Sequence, residues 1–206
     1  MEHIFERTVL SQPDVLYDSA DFISTATGVK ISRAAKLQGQ HQIHLNGKTV
    51  VHAGVELRGD LARINVGKYC TMSAGVTLRP SPTSTSDSAA EQTGAGAGEG
   101  DAVTHVPLKI GDYVRIGERS EVEAASVGAM VQIGSDCKIS PRCILRDCCC
   151  IEDGTVLAAD TVVPPFSLFG GAPGVLVAEL PECTPELFKE MAVSEFERFK
   201  PSGKKR

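Results

Sequence analysis

From Val127 onward every sixth residue is aliphatic: Val127, Ile133, Ile139, Leu145, Ile151, Leu157 and Val163. Seven such hits running would arise by chance roughly once in twenty thousand trials. Neighbouring positions keep the same period. Gly128, Gly134 and Ser140 follow an aliphatic, and Ala125, Val131, Cys137, Cys143, Cys149, Thr155 and Thr161 stand two before one. The register runs back through Ile110, Ile116 and Val122, with a slip of one residue before Val127. Val66, Met72 and Leu78 keep it earlier, and Ile31, Leu37, Ile43, Thr49, Val55 and Leu61 continue it in sixes. A period of six suits neither an amphipathic helix nor a hairpin meander. It suits a parallel β-helix, in which short strands alternate with tight turns and three units close one coil. Aromatic residues make up 5% of the chain and Trp is absent, so small aliphatic side chains must fill the interior.

These hexads resemble the hexapeptide-repeat superfamily. The resemblance implies a left-handed coil, whereas the general rule for parallel crossovers favours the other hand. The expected fold is an all-β solenoid, a left-handed parallel β-helix of hexapeptide repeats with a C-terminal α-helix and one long disordered loop. An N-terminal extension covers 1–24, the β-helix domain 25–170, and the C-terminal helix and tail 171–206.

The stretch DCKISPRCILRDCCCIEDG holds five of the seven cysteines. Cys137, Cys143 and Cys149 share one small inward corner position, with Cys70 in the earlier block and Thr155 and Thr161 continuing it. Spacing by six puts these thiols on different corners, and zinc requires ligands that converge. They are read as packing residues; Cys148 and Cys150 flank the column and face elsewhere. The N-terminus carries no apolar secretory core, so the thiols are expected reduced, in the cytosol or nucleus.

Residues 80–107 interrupt the period with Ser, Thr, Gly and Ala, and read as a mobile loop leaving one corner. Pro164 and Pro165 end strand pairing, since neither has an amide hydrogen to donate. Thr184 as N-cap, then Pro185 and Glu186, opens a helix through about residue 199, with Leu187, Phe188, Met191, Phe196 and Phe199 as its apolar stripe. Both open ends of a β-helix carry unpaired backbone groups, which calls for covering elements or partners.

Several functions are excluded. A net charge of −5 and a pI near 5.6 offer no general attraction for nucleic acid. No apolar run approaches the length of a membrane span, so no direct membrane insertion is expected. The basic ending Lys204-Lys205-Arg206 is read as a solvated tail. LNGKT lacks the first glycine of a phosphate loop, Gln42 standing there. Arg58-Gly59-Asp60 reads as a local ion pair. The segment around Leu57–Leu61 and Val66-Gly67 looks like the γ-class carbonic anhydrases, which bind zinc through three histidines. Aligning by the glycines puts Arg79, Glu118 and Glu123 at those positions. An Arg there repels a dication. Acyl transfer, common in the superfamily, needs a His base at a coil corner. Of the five histidines only His52 and His105 suit it, and His105 falls in the loop. No catalytic, metal or cofactor-binding residue is assigned, and no cofactor is expected.

A closer resemblance rests on YDSADFISTATGVKISRAAKLQG, IHLNGKTVVHAGVELRGDLARINVGKYC, LKIGDYVRIGE, ILRDCCCIEDGTVL, TVVPPFSLFGGAPG and AELPECTPEL, in that order. Together they resemble the dynactin subunit 5 family from about Tyr17 to Leu187, outside the loop. That resemblance implies a non-enzymatic, cytoplasmic, cytoskeleton-associated subunit of the dynactin pointed end, a cofactor of dynein-driven microtubule transport. The implied partners are dynactin subunit 6, dynactin subunit 4, the pointed-end actin-related protein, and dynein adaptors or endosomal cargo. A homotrimer is not expected. Charged residues Arg115, Glu118, Arg119, Glu121 and Glu123 are candidate contact positions. The alternative is a hexapeptide-repeat acyltransferase or γ-carbonic-anhydrase-like enzyme working as a homotrimer.

Overall fold

Aliphatic side chains repeating every six residues share one interior only if the chain turns a third of a circle per unit. The computed structural model, which describes residues 14–83 and 104–202, has this form. Strands of two to five residues, parallel except for the outermost strand at each end of the largest sheet, stack into sheets of six, six and nine strands around a single aliphatic core. The sheets are the walls of a prism.

Each wall owns one column of core residues, in register from coil to coil. The first column is Ile31, Val51, Met72, Ile116, Ile133, Ile151 and Phe169. The second is Leu37, Leu57, Leu78, Val122, Ile139 and Leu157. The third is Leu45, Val66, Ile110, Val127, Leu145 and Val163. The hexads from Val66 on therefore hold, including the slip before Val127. The first block needs a correction. Leu45, Val51 and Leu57 occupy the columns there, and Thr49 and Val55 stand two residues before them. Leu61 belongs to no column and is only half-buried. The misreading has a physical cause: the position two before each column residue also points inward. Thr49, Val55, Ile64, Val76 and Leu108 are all fully buried, so apolar type alone does not distinguish the two inward rows.

The corners explain the rest of the hexad. Ten non-glycine residues have left-handed φ of 54–62°, and every one lies three positions before a column residue: Lys48, Tyr69, Tyr113, Arg119, Met130, Asp136, Arg142, Cys148, Asp160 and Phe166. These corners bend through one left-handed residue, a conformation that costs a side chain about 1–2 kcal/mol, and Gly28, Gly54, Gly75 and Gly154 take the same position elsewhere. Neighbouring coils come close at these corners. A Cβ on Gly111 would lie 2.6 Å from the Ala129 amide nitrogen. One residue later, Asp112, Asp147 and Asp153 accept amide hydrogen bonds of 2.7–2.8 Å from Lys68, Ala129 and Ser135 of the preceding coil.

The expected helix, α1, spans Thr184–Arg198. Its N-cap is Cys183 rather than Thr184. Thr184 is the first helical residue and donates its hydroxyl to the Pro181 carbonyl at 2.6 Å. Fifteen residues at 1.5 Å each give about 22 Å, close to five inter-coil steps of about 4.8 Å. The helix accordingly runs along the first wall from the last coils to the first. Phe188 packs with Cys150, Leu168 and Leu180 at one end. At the other, Phe199 packs with Tyr17 and Val50. A parallel pair of strands, Val15–Tyr17 and Phe199–Pro201, ties the two ends of the described chain together.

Of the loop expected over 80–107, only the ends are described. Ser81–Pro82 pairs antiparallel with His105–Val106, and residues 84–103 lie outside the described residues. So does the tail Lys204-Lys205-Arg206, along with residues 1–13 of the N-terminal extension.

Candidate functional site: three walls and one irregular edge

The columns show where the hexad breaks. The intervals Leu37 to Leu45, Leu57 to Val66, Leu78 to Ile110 and Val122 to Val127 all depart from six. All four lie between the second wall and the third: the first three are longer than six, so extra chain leaves the prism along this edge, and the last is one residue shorter. An open cleft of about 300 Å³ lies on this edge, lined by Arg58, Leu61, Arg79, Pro80, Pro82, His105 and Glu123.

The cleft brings two of the three zinc-ligand positions together and leaves the third apart. Arg79 and Glu123 form an ion pair at 3.6 Å. Glu118 sits on a different corner, 3.3 Å from Arg119. Arg58 holds Asp60 through two hydrogen bonds of 2.9 Å, which keeps the Asp60 carboxyl below its usual range. Among the described residues no group of three His, Cys, Asp or Glu side chains is placed to hold a metal ion.

The two candidate bases part company. His52 projects from the first wall beneath the terminal strands, its ring 5.2 Å from that of Phe199 and 6.3 Å from that of Phe22. Burial lowers its pKa against a smaller opposing pull from Glu118, so it is a neutral packing residue. His105 is not in irregular loop. It stands on the short strand His105–Val106, half-buried, and faces the cleft. Only a structure shows this placement, because a two-residue strand leaves no pattern in sequence.

The cysteines follow the packing reading. Cys137, Cys143 and Cys149 are buried in separate corners, with Cys70 above Cys149's column. Burial pushes the Cys70 thiol up to about 12 and raises Cys149 as well. Cys148 takes a left-handed corner, and Cys150 faces outward beneath α1. Burial, then Glu152, pushes Cys150 up to about 12. None of these thiols is activated for nucleophilic or redox chemistry.

The walls differ as surfaces. The first is covered by α1, held by Arg115–Glu195 at 3.5 Å and by the aromatic contact of Tyr69 with Phe196. The second presents Lys36, Glu56, Thr77, Glu121 and Lys138 in one straight row. Lys138 pairs weakly with Glu121 at 3.9 Å, and at the neighbouring corner Arg119 grips Asp136 with two bonds of 2.7 Å. The third presents His44, Asn65, Lys109, Ser126 and Ile144. The five candidate contact residues thus do not form one patch. Arg115 faces α1, Glu118 and Arg119 hold a corner, Glu121 stands on the second wall, and Glu123 lines the cleft.

The profile of the dynactin subunit 5 family matches residues 10–204. A dynactin subunit 5 from Dictyostelium discoideum is 40% identical over 186 residues, which covers 90% of this chain and 87% of that one. Solved structures share the fold at much lower identity. A variant of the N-acyltransferase AntD from Bacillus cereus, in complex with dTDP and coenzyme A, superposes with a TM-score of 0.62 at 14% identity, covering 89% of this chain and all of that one. A hexapeptide transferase family protein from Anaplasma phagocytophilum gives 0.56 at 16% identity, with 85% and 94% covered. These likenesses identify the coil as the left-handed β-helix of hexapeptide repeats.

Proposed function

The chain belongs to the dynactin subunit 5 family, and from that premise we propose that it is a structural, non-catalytic subunit of the dynactin pointed end. In this reading it stabilises the end of the assembly in the cytoplasm. It docks dynein adaptors or membrane cargo for microtubule transport, beside dynactin subunits 4 and 6 and the pointed-end actin-related protein. The family match along residues 10–204 carries the proposal. The surfaces support it: two straight walls stand uncovered by the chain's own helix, and a stack of short paired strands is a stiff platform for docking. So does the chemistry. Arg79 and Glu123 neutralise one another where a zinc site would need neutral imidazoles.

A second reading, acyl transfer by a homotrimer, draws on the acyltransferase neighbours and on His105 in the cleft. Affinity capture of the tagged full chain, followed by mass spectrometry, separates the two. Recovery of actin-related proteins with other dynactin subunits is expected. A lone homotrimer carrying stoichiometric acyl-CoA or zinc would overturn the proposal.

A further inference from the structure

The last strand of the nine-stranded sheet, Val175–Glu179, turns back antiparallel on Ser167–Gly170 and ends the sheet. Its outer edge pairs with no other strand among the described residues. Val175, Leu176 and Val177 are each more than half exposed, so the strand is apolar on both faces instead of alternating. Val162 and Phe166, on the same final coil, are exposed as well. Isolated proteins usually blunt such an edge with a lysine, a proline or a bulge that turns it away. This one has a bulge next to Val177 but no charge within the apolar run.

The chain that closes the last coil is of one sign, although the preceding coil sets Lys138 beside Val156. Residues 151–183 contain five carboxylates, Glu152, Asp153, Asp160, Glu179 and Glu182, and no Lys, Arg or His. Asp160 pairs with Arg142 of the preceding coil at 2.6 Å, and Asp153 accepts the Ser135 amide. Among the described residues the other three form no ion pair with Lys or Arg. The Glu152 carboxylate lies over Gly170, the residue paired with Val175.

We infer that the edge Val175–Glu179 is a docking strand for an extended segment of a different protein. That segment has aliphatic side chains on both faces and lysine or arginine at its flanks. The backbone edge demands an extended partner, and the three exposed aliphatics demand apolar cover. The acidic surround selects the flanking charge. It also argues against a second copy of this chain, because antiparallel pairing of two such edges would bring both sets of carboxylates together.

The test uses the full chain and a synthetic probe, acetyl-KKVTVIVKK-amide, beside the same peptide with Glu in place of every Lys. Hydrogen exchange read by mass spectrometry should show amides 175–179 slowed several-fold by the Lys peptide. The Glu peptide should bind at least ten-fold more weakly. The variant L176K/V177K should keep its thermal midpoint, since both side chains are exposed, and should lose the protection. Protection at any other segment, equal binding of both peptides, or no binding would overturn the inference. So would protection of 175–179 that grows with protein concentration alone, the signature of self-pairing.

Discussion

At the scale of single residues, the prism depends on corners that most side chains resist. Met130 adopts φ of 55° and packs against the cluster beneath α1. A β-branched side chain suits that backbone least. Met130→Ile is expected to be less stable than Met130→Leu by about 1–2 kcal/mol, measured by urea denaturation. The buried thiols give a second prediction. Six of the seven cysteines are buried and Cys183 is exposed, so a thiol reagent should titrate one equivalent in the native protein and seven after unfolding. They also set an alkaline limit. Unfolded thiols lose their protons near 9, whereas Cys70 and Cys150 hold theirs to about 12. Between those values the folded state binds more protons than the unfolded one. Stability from these groups is complete below pH 9 and falls as pH rises towards 12. A denaturant midpoint that held steady from pH 8 to pH 11 would contradict this.

At the scale of elements, α1 and the terminal strands form a brace laid along one wall. Lys30 donates to the Phe199 carbonyl and lies over the Phe196 ring at 4.2 Å, and Lys200 meets Asp14 at 3.0 Å. Phe188, 3% exposed, anchors the far end of the brace. Phe188→Ala should cost about 3–5 kcal/mol. Hydrogen exchange should quicken first in α1 and Phe199–Pro201, with the coils from Ile110 to Val163 still protected. Uniform loss of protection would mean that brace and prism fold as one unit. The sequence shows these elements unevenly, for physical reasons. The coils from Val127 to Val163 are readable because a narrow interior admits only aliphatics at a fixed interval. The early coils are in frame at Ile31 and Leu37 but read two residues out of frame at Ile43, Thr49 and Val55, because both rows point inward there. The helix shows in its Pro185 start and its stripe. The tie between Val15–Tyr17 and Phe199–Pro201 does not show, since three-residue strands carry no period.

At the scale of the whole molecule, the fold alone does not decide between platform and enzyme, because its solved neighbours include acyltransferases. The proposal rests instead on the family match and on the chemistry set on the walls and edges. The packing role of Cys137, Cys143 and Cys149 was legible in the sequence, because their spacing by six puts them on separate corners where they are buried. Sequence reasoning missed the cleft, because Arg58, Arg79, His105 and Glu123 are far apart in the chain and meet only where four irregular intervals fall on one edge. It also missed the acidic end strand, whose exposure depends on how the last coil is closed. A platform inside a larger assembly needs one copy of this chain, while the enzymatic alternative needs three identical ones. Native mass spectrometry of the assembly purified through this chain tests that difference most directly. One copy, held with an actin-related protein and other dynactin subunits and without bound acyl-CoA or zinc, is the predicted result. A complex of three copies of this chain and nothing else would contradict the account.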